Sequence, residues 1–448
     1  MAMNVAANLA EKVLGSGDNA TVTTGVANPT VDIEKFADTS VPMKALTWMG
    51  KNSVALSDSY KPRIVDPGDV VLRVTGSTIC GSDLHLYHGA VTNMQKGDIL
   101  GHEFCGVADS VGSAVTGIQP GKRYVASFQI GCGTCKFCSQ GLSSQCDNTN
   151  DSTVQNILYG SRTAGLFGYS HLTGGYAGGQ AEYVRVPYGD VNLLELPDDV
   201  PDELGLYLSD VLPTSYNAVQ DTRVYPGDTV AIWGAGPIGL MVAAFAFKNE
   251  ASRVIMVDSG WRLDYVKKKL PNAETLDYKA LGSGKSVTAE IHERVPGGVD
   301  VCIECAAGEY AKGWGHYFEM LLGMETDTSE IINEMITSTR KFGRCGITGA
   351  YIGFTNHFNI GSLMERGIRL IGNGQAPVHK YWKDLLKMVQ SGEVDPGIML
   401  THRVSLDDMA ELYKRFDARK EEDGIMKVFV ETKFSAPRAE GTPALTKL

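Results

Sequence analysis

No stretch of the 448-residue chain stays apolar for the roughly 20 residues that a membrane-spanning helix needs, the best being Gly239 to Phe247. A protein that does not enter a membrane is expected. Basic runs are also scarce. Lys267, Lys268 and Lys269 form a single triplet that reads as a solvated helix face, and the formal net charge is -11. The chain therefore lacks the clustered cations of a sequence-independent nucleic-acid surface. The first 42 residues have no arginine and no basic start before an apolar core, with Lys12 and Lys35 set against Glu11, Asp18, Asp32, Glu34 and Asp38. A secretory signal or mitochondrial transit peptide is disfavoured, and the cytoplasm is the expected compartment. The C-terminal Thr446-Lys447-Leu448 stands one residue from a peroxisomal Ser-Lys-Leu address, the other reading being an untethered tail. Internal repeats are absent as well.

What is present is 43% hydrophobic content over a length that suits two ordinary domains with buried cores. Residues 1–42 read as an extension rich in Ala, Asn, Thr and Gly. From Lys44 to Val200, short apolar runs such as Val70-Val71-Leu72-Arg73-Val74 are broken by Asp-Pro-Gly and Pro-Gly-Lys turns, the texture of a β-rich domain; no strong helical period precedes Asp147. After Leu212 strand-like runs alternate with helices: Thr229 to Trp233, Val254 to Asp258, Val299 to Ile303 and Cys345 to Thr348. That alternation predicts a parallel, doubly wound sheet. A last strand, Met426 to Val430, is placed to return to the first domain.

Gly234-Ala235-Gly236-Pro237-Ile238-Gly239 follows a strand directly and opens an apolar helix, the context that a glycine pattern needs before it reads as a pyrophosphate cradle. Asp258 ends the next strand about 20 residues on, where a carboxylate accepts hydrogen bonds from an adenosine ribose and repels a 2′-phosphate. NAD is the expected cofactor, although Arg262 lies close enough to leave some NADP use open.

Of nine cysteines, Cys132, Cys135, Cys138 and Cys146 stand at a spacing that closes a tetrahedral thiolate shell, as a structural zinc requires. A second constellation is Cys80-Gly81-Ser82-Asp83-Leu84-His85 followed by Gly101-His102-Glu103. Cys80 and His102 supply two zinc ligands, the adjacent carboxylates Asp83 and Glu103 can orient them from outside the shell, and an open site still needs a third protein ligand.

Taken in order, these four motifs resemble the zinc-dependent medium-chain alcohol dehydrogenase family over about residues 43–433. The resemblance implies an α/β chain with a GroES-like β-rich catalytic domain over 43–212, completed by 381–433, and a doubly wound Rossmann cofactor domain over 213–380. A tail follows at 434–448. It also implies two zinc ions per chain, NAD, a small alcohol or aldehyde substrate, and a homo-oligomer, dimer or tetramer. The run Leu208 to Tyr216 resembles the stretch that supplies the third ligand, and here that place holds Asp210, which makes Cys80, His102 and Asp210 the expected catalytic-zinc set. The competing reading of Ser209-Asp210 is a helix cap. Aspartate there is typical of the glutathione-independent formaldehyde dehydrogenase branch. The chain also resembles that branch in Leu172 to Tyr176, Gly179 to Tyr183 and Gly323 to Thr328.

Ser82 and His85 match the family's proton-relay positions. Gly81 stands where animal alcohol dehydrogenases often carry an arginine against the pyrophosphate. Lys427 matches a basic position that could partly supply that charge, the alternative being an exposed strand lysine. Between Gly308 and Thr326 a long crossover holds Tyr310, Trp314, His316, Tyr317 and Phe318, read either as a cover for the site or as packing against a neighbouring subunit or the extension. A helix after it is expected to be capped by Asp327 with Glu330. The expected activity is hydride transfer between an alcohol or hydrated aldehyde and NAD, the metal polarising the substrate oxygen. Two alternatives stand beside it: a polyol-type zinc dehydrogenase in which Glu103 or a water replaces Asp210, and a non-catalytic zinc and nucleotide binding protein.

Overall fold

In a computed structural model of the chain, residues 36–282, 284–306 and 327–448 are described, together with 6, 7, 9, 10 and 13. They form two compact units, Met1–Asp210 with Pro377–Leu448, and Val211–Ala376. The aromatic crossover and the stretch Gly323 to Thr326 lie outside the described residues, as does most of the N-terminal extension.

The first unit is built on a seven-stranded sheet. Its path runs Leu400–Ser405, Lys427–Glu431, Val70–Ser77, Phe104–Val111, Arg123–Ala126 and Leu193–Glu195, and Tyr183–Val186 also pairs with Val70–Ser77. Alternate residues Val70, Leu72 and Val74 meet Phe104, Tyr124, Ala126 and Val184 in one core, and Val71 on the other face is buried as well, so the strand is covered on both sides. The chain's last strand reaches this sheet by pairing Val430 with Ser77, antiparallel.

Three sequence-based expectations for this unit change. Its first strand, Ala37–Gly50, starts inside the stretch read as an extension, because Phe36 and Ala37 are buried. The helix Gly81–Tyr87 was not foreseen, since seven residues are too few to show a helical period; Asp83 caps it by accepting from the Cys80 amide at 2.9 Å. The C-terminal tail is tethered. Ala439 N donates to Glu203 Oε1 at 3.0 Å, Arg403 donates to Ala436 O at 2.9 Å, and Thr446 N donates to Arg403 O at 2.7 Å.

The second unit is a six-stranded sheet, every neighbouring pair parallel, in the spatial order Glu274–Asp277, Arg253–Asp258, Thr229–Trp233, Val299–Glu304, Thr339–Ile347, Arg369–Gly372. The order reverses beside Thr229–Trp233, the topological switch point where open α/β sheets bind ligands. Thr229 to Trp233 is buried throughout, as a central strand covered on both faces must be. The helix Glu330–Ser338 does not start at Asp327: its N-cap is Ser329, and Asp327 instead accepts from the Ile352 and Gly353 amides, both at 3.0 Å. Among the described residues no helix is long and apolar enough to cross a membrane.

Candidate metal centres and cofactor loop

The turn after Val70–Ser77 leads into Gly81–Tyr87, whose N-cap is Cys80, and the segment entering Phe104–Val111 carries His102 and Glu103. Asp210 closes the first stretch of the same unit. One donor atom from each of Cys80, His102, Glu103 and Asp210 lies within 4.8 Å of all the others. A tetrahedral zinc with bonds near 2.0–2.3 Å sets its ligands about 3.5 Å apart, so the group fits such an ion. His102 Nε2 stands 3.3 Å from Asp210 Oδ2 and 3.9 Å from Glu103 Oε1.

Outside the donor set, Asp83 Oδ1 is 3.0 Å from His102 Nδ1. Donation of the Nδ1 hydrogen to that carboxylate leaves the Nε2 lone pair facing Asp210, the tautomer a metal ligand needs. Asp83 Oδ2 in turn accepts from the Cys80 amide and, at 3.3 Å, from Gln180 Nε2. Burial pushes the His102 pKa down, but Asp83, with hydrogen bonds to Asp210, Asp83 and Cys80, holds it well above its ordinary value. An imidazole pulled toward the cationic form by its surroundings marks an anionic pocket, which a divalent cation would neutralise.

Ser82 Oγ lies 3.4 Å from His102 Nε2, beside the donor atoms, and His85 is buried on the next turn of the same helix. Lys427 is not the exposed strand lysine of the alternative reading. It is 1% exposed, and its ammonium donates to Glu103 Oε1 at 2.6 Å and to Ile79 O at 3.3 Å.

Three neighbours were missed. The rings of Phe128 and Tyr169 stand edge-on to His102, each with centroids 6.1 Å away. Gln180 ties Asp83 to the Thr78 carbonyl and accepts from Tyr413 Oη at 3.0 Å. Isolated aromatic and amide residues carry no spacing signal. Gln180 did sit within a quoted branch motif, and its flank explains part of that motif: a Cβ on Gly178 would fall 2.2 Å from Leu100 O, so glycine lets this segment lie against the turn that presents His102.

The second cluster gathers the four sulfurs of Cys132, Cys135, Cys138 and Cys146 within 4.8 Å of one another, all as free thiols. Amides point at them: Cys132 N donates to Cys146 Sγ at 3.3 Å, Cys135 N to Cys132 Sγ at 3.3 Å, and Cys138 N to Cys135 Sγ at 3.5 Å. Asn148 Nδ2 adds a contact to Cys132 Sγ at 3.4 Å. A hydrogen bond from Cys138 draws the Cys146 thiol down to about 5, and that shared hydrogen, with burial, pushes Cys138 up. Donors aimed at sulfur stabilise thiolate, the form that holds zinc.

In the second unit, the loop Gly234 to Gly239 turns from the strand Thr229–Trp233 into the helix Pro237–Lys248, with Gly236 as N-cap and Pro237 in the first turn. A Cβ on Gly239 would fall 1.9 Å from Gly234 O, so no side chain fits there while the loop keeps its turn. The helix opens with unpaired amides at its positive end. Asp258 Oδ2 accepts from Ala235 N at 2.6 Å, which ties the carboxylate to the rim of the loop, and the Arg262 guanidinium reaches within 3.9 Å of where a Gly236 Cβ would stand. The loop, its helix and Asp258 fit a dinucleotide.

Residues 66–198 match the family described as alcohol dehydrogenase GroES-like domain. A zinc-type alcohol dehydrogenase-like protein of Schizosaccharomyces pombe is 36% identical over 430 residues, covering 96% of this chain and 98% of that one. The chain belongs to the zinc-dependent alcohol dehydrogenase family. It is accordingly an oxidoreductase of that class. This zinc-type dehydrogenase is also 31% identical over 418 residues to a glutathione-independent formaldehyde dehydrogenase of Pseudomonas aeruginosa, covering 86% of the chain and 96% of the relative. Among solved structures, an alcohol dehydrogenase from Thermus sp. ATN1 has a TM-score of 0.71 at 27% identity, covering 87% of this chain and 100% of that one. The fold, a GroES-like unit with a parallel Rossmann sheet, is the family's.

Proposed function

We propose that this dehydrogenase acts on small alcohols and hydrated aldehydes of the formaldehyde type with NAD as partner, as a cytoplasmic homo-oligomer. Cys80, His102 and Asp210 would hold a catalytic zinc, and Cys132, Cys135, Cys138 and Cys146 a structural one. The observation that carries the reading is the convergence of half-buried Cys80 and buried His102 and Asp210 into one donor set with an aspartate in third place. The 31% identity to a glutathione-independent formaldehyde dehydrogenase supports the substrate class.

When bound, the metal supplies Lewis acidity toward a substrate oxygen and the nicotinamide supplies the hydride acceptor. The chain's own residues do the rest. Asp83 fixes the His102 tautomer, and Gln180 keeps Asp83 in place. The rings of Phe128 and Tyr169, edge-on to His102, would shield the donor atoms from water. Ser82 Oγ, beside the donor atoms, would take the alcohol proton, with His85 as the next station. Glycine amides of the loop would hold the pyrophosphate, and Asp258 the ribose.

Metal analysis of freshly purified, active protein should find about two zinc ions per chain. A panel of alcohols and aldehydes should give the highest kcat/KM with short aldehydes and NAD. A single zinc, or turnover confined to polyols, contradicts the reading.

Asp258→Ser tests the cofactor assignment separately. Loss of the ribose hydrogen bonds together with loss of phosphate repulsion should lower the ratio of kcat/KM with NAD to that with NADP by at least about tenfold. An unchanged ratio would show that Arg262, not Asp258, sets the preference.

A further inference from the structure

Asp210 follows a buried turn whose last two carbonyls are held from outside. Leu206–Leu208 is a single 3-10 turn, and Leu206, Tyr207, Leu208 and the following Ser209 are all fully buried. Within it, Ser209 N and Ser209 Oγ both donate to Leu206 O, at 3.0 and 2.6 Å. In a helical run Ser209 O would accept from residue 213, but Pro213 has no N–H to give. The Phe128 amide takes that place at 3.2 Å. Leu208 O accepts from the indole Nε1 of Trp382 at 2.7 Å.

The two outside donors belong to one closed set of contacts. Trp382 is 4% exposed on the helix Val378–Gln390, where Val378, Trp382, Leu385 and Val389 form the buried face at a spacing of three to four residues. Its ring lies edge-on to His379, centroids 5.0 Å apart, and His379 Nε2 stands 3.1 Å from Asn192 Oδ1. Asn192 holds both ends of the stretch that carries Phe128: its carbonyl accepts from Ser127 N at 3.1 Å and its Oδ1 from Gly131 N at 2.8 Å.

We propose that Trp382 is a positioning residue for Asp210, its indole N–H on Leu208 O fixing the backbone from which the third metal-holding carboxylate projects. The inference rests on the reading of Cys80, His102 and Asp210 as the metal-holding set. A carboxylate on a loose turn loses backbone and side-chain freedom when an ion arrives, and that loss weakens binding. Carbonyls held on each of the two preceding residues remove the freedom beforehand. A buried indole N–H finds an acceptor in most cores, so its satisfaction is ordinary. The choice of acceptor is not: Leu208 O lies two residues before Asp210 and beside the carbonyl whose helical donor is a proline.

The test reads metal affinity rather than turnover. Cobalt(II) is exchanged into the catalytic place of the full-length protein, and a chelator competes for it while the visible band is followed. Trp382→Phe keeps an aromatic ring and loses the donor. It should weaken cobalt binding by at least about tenfold, the size seen for residues that orient metal ligands, with the four-cysteine zinc retained. Trp382→Met, an unbranched chain that fills space without a donor, replaces it if Trp382→Phe does not fold. Leu385→Ala is the control. It opens a cavity on the same buried face and leaves the indole bond in place, so it should cost stability but change cobalt affinity by less than about twofold.

A folded Trp382→Phe protein with the parent's cobalt affinity overturns the proposal. An equal loss of affinity in Leu385→Ala overturns it too, because Trp382 would then act only as packing. Asp210→Ala is read beside them: parental cobalt affinity in that variant overturns the metal assignment itself, whatever Trp382→Phe shows.

Discussion

Replacing Asp210 with alanine is expected to strip the catalytic metal and lower kcat/KM by about a thousandfold or more, while the four-cysteine zinc stays in place. Asp210 Oδ2 faces His102 Nε2 at 3.3 Å, and the other carboxylate in the cluster among the described residues, Glu103, is held by Lys427. Removal of Asp210 therefore leaves two donors and an uncancelled positive charge, too little to retain a hard-to-replace ion against dilution. The competing role, a cap ahead of the helix Val211–Asp221, predicts a different outcome: about 1 kcal/mol of stability lost, with turnover and metal content intact. Metal analysis beside steady-state kinetics separates the two. Two zinc ions and near-normal kinetics in Asp210→Ala would move the third ligand to Glu103.

Cys146→Ser should act on the other centre and in the opposite pattern. Cys146 Sγ accepts from the Cys132 amide and lies 3.9 Å from Cys135 Sγ, so it joins the start of the lobe to its end. Its loss removes a thiolate that the surroundings already favour. A structural zinc contributes stability outright, because the hydrophobic cluster around it is small: among the described residues the four cysteines are joined there by Ala164 and Tyr188. The expected result is one zinc per chain, a stability loss of several kcal/mol, and rapid proteolysis between Gly131 and Cys146 before the rest of the fold is cut. A variant that keeps two zinc ions, or that is as resistant to protease as the parent, would show that the lobe is held by packing.

Much of this was present in the order of residues. Four cysteines at fixed spacing have few ways to satisfy their sulfurs, so Cys132, Cys135, Cys138 and Cys146 announce one another within a single short segment. The glycine loop is legible for the same local reason. Its turn needs Gly234 and Gly239 whatever surrounds it, and the strand before and the helix after it are continuous in sequence. Covered parallel strands are apolar runs, and Thr229 to Trp233 reads as one without any partner in view. The last strand's return to the first unit followed from its position beyond the alternating segment.

Tertiary structure alone decided what depends on residues far apart. Lys427 and Glu103 are separated by most of the chain, and no spacing rule relates them; the pairing of Lys427–Glu431 with Val70–Ser77 brings the ammonium to the Glu103 carboxylate. Gln180, Phe128 and Tyr169 became parts of the site in the same way, through the sheet and turns that carry them to His102. The C-terminal tail shows the converse. Its composition promised nothing, but Arg403 and Glu203, which pair with each other, keep further buried polar atoms that its backbone satisfies, and a buried polar atom left without its hydrogen bond costs enough to keep it docked. Motifs whose chemistry closes within one short segment are written in the sequence, whereas the balance of charges around Cys80, His102, Glu103 and Asp210 is set by contacts that exist only once the chain has folded.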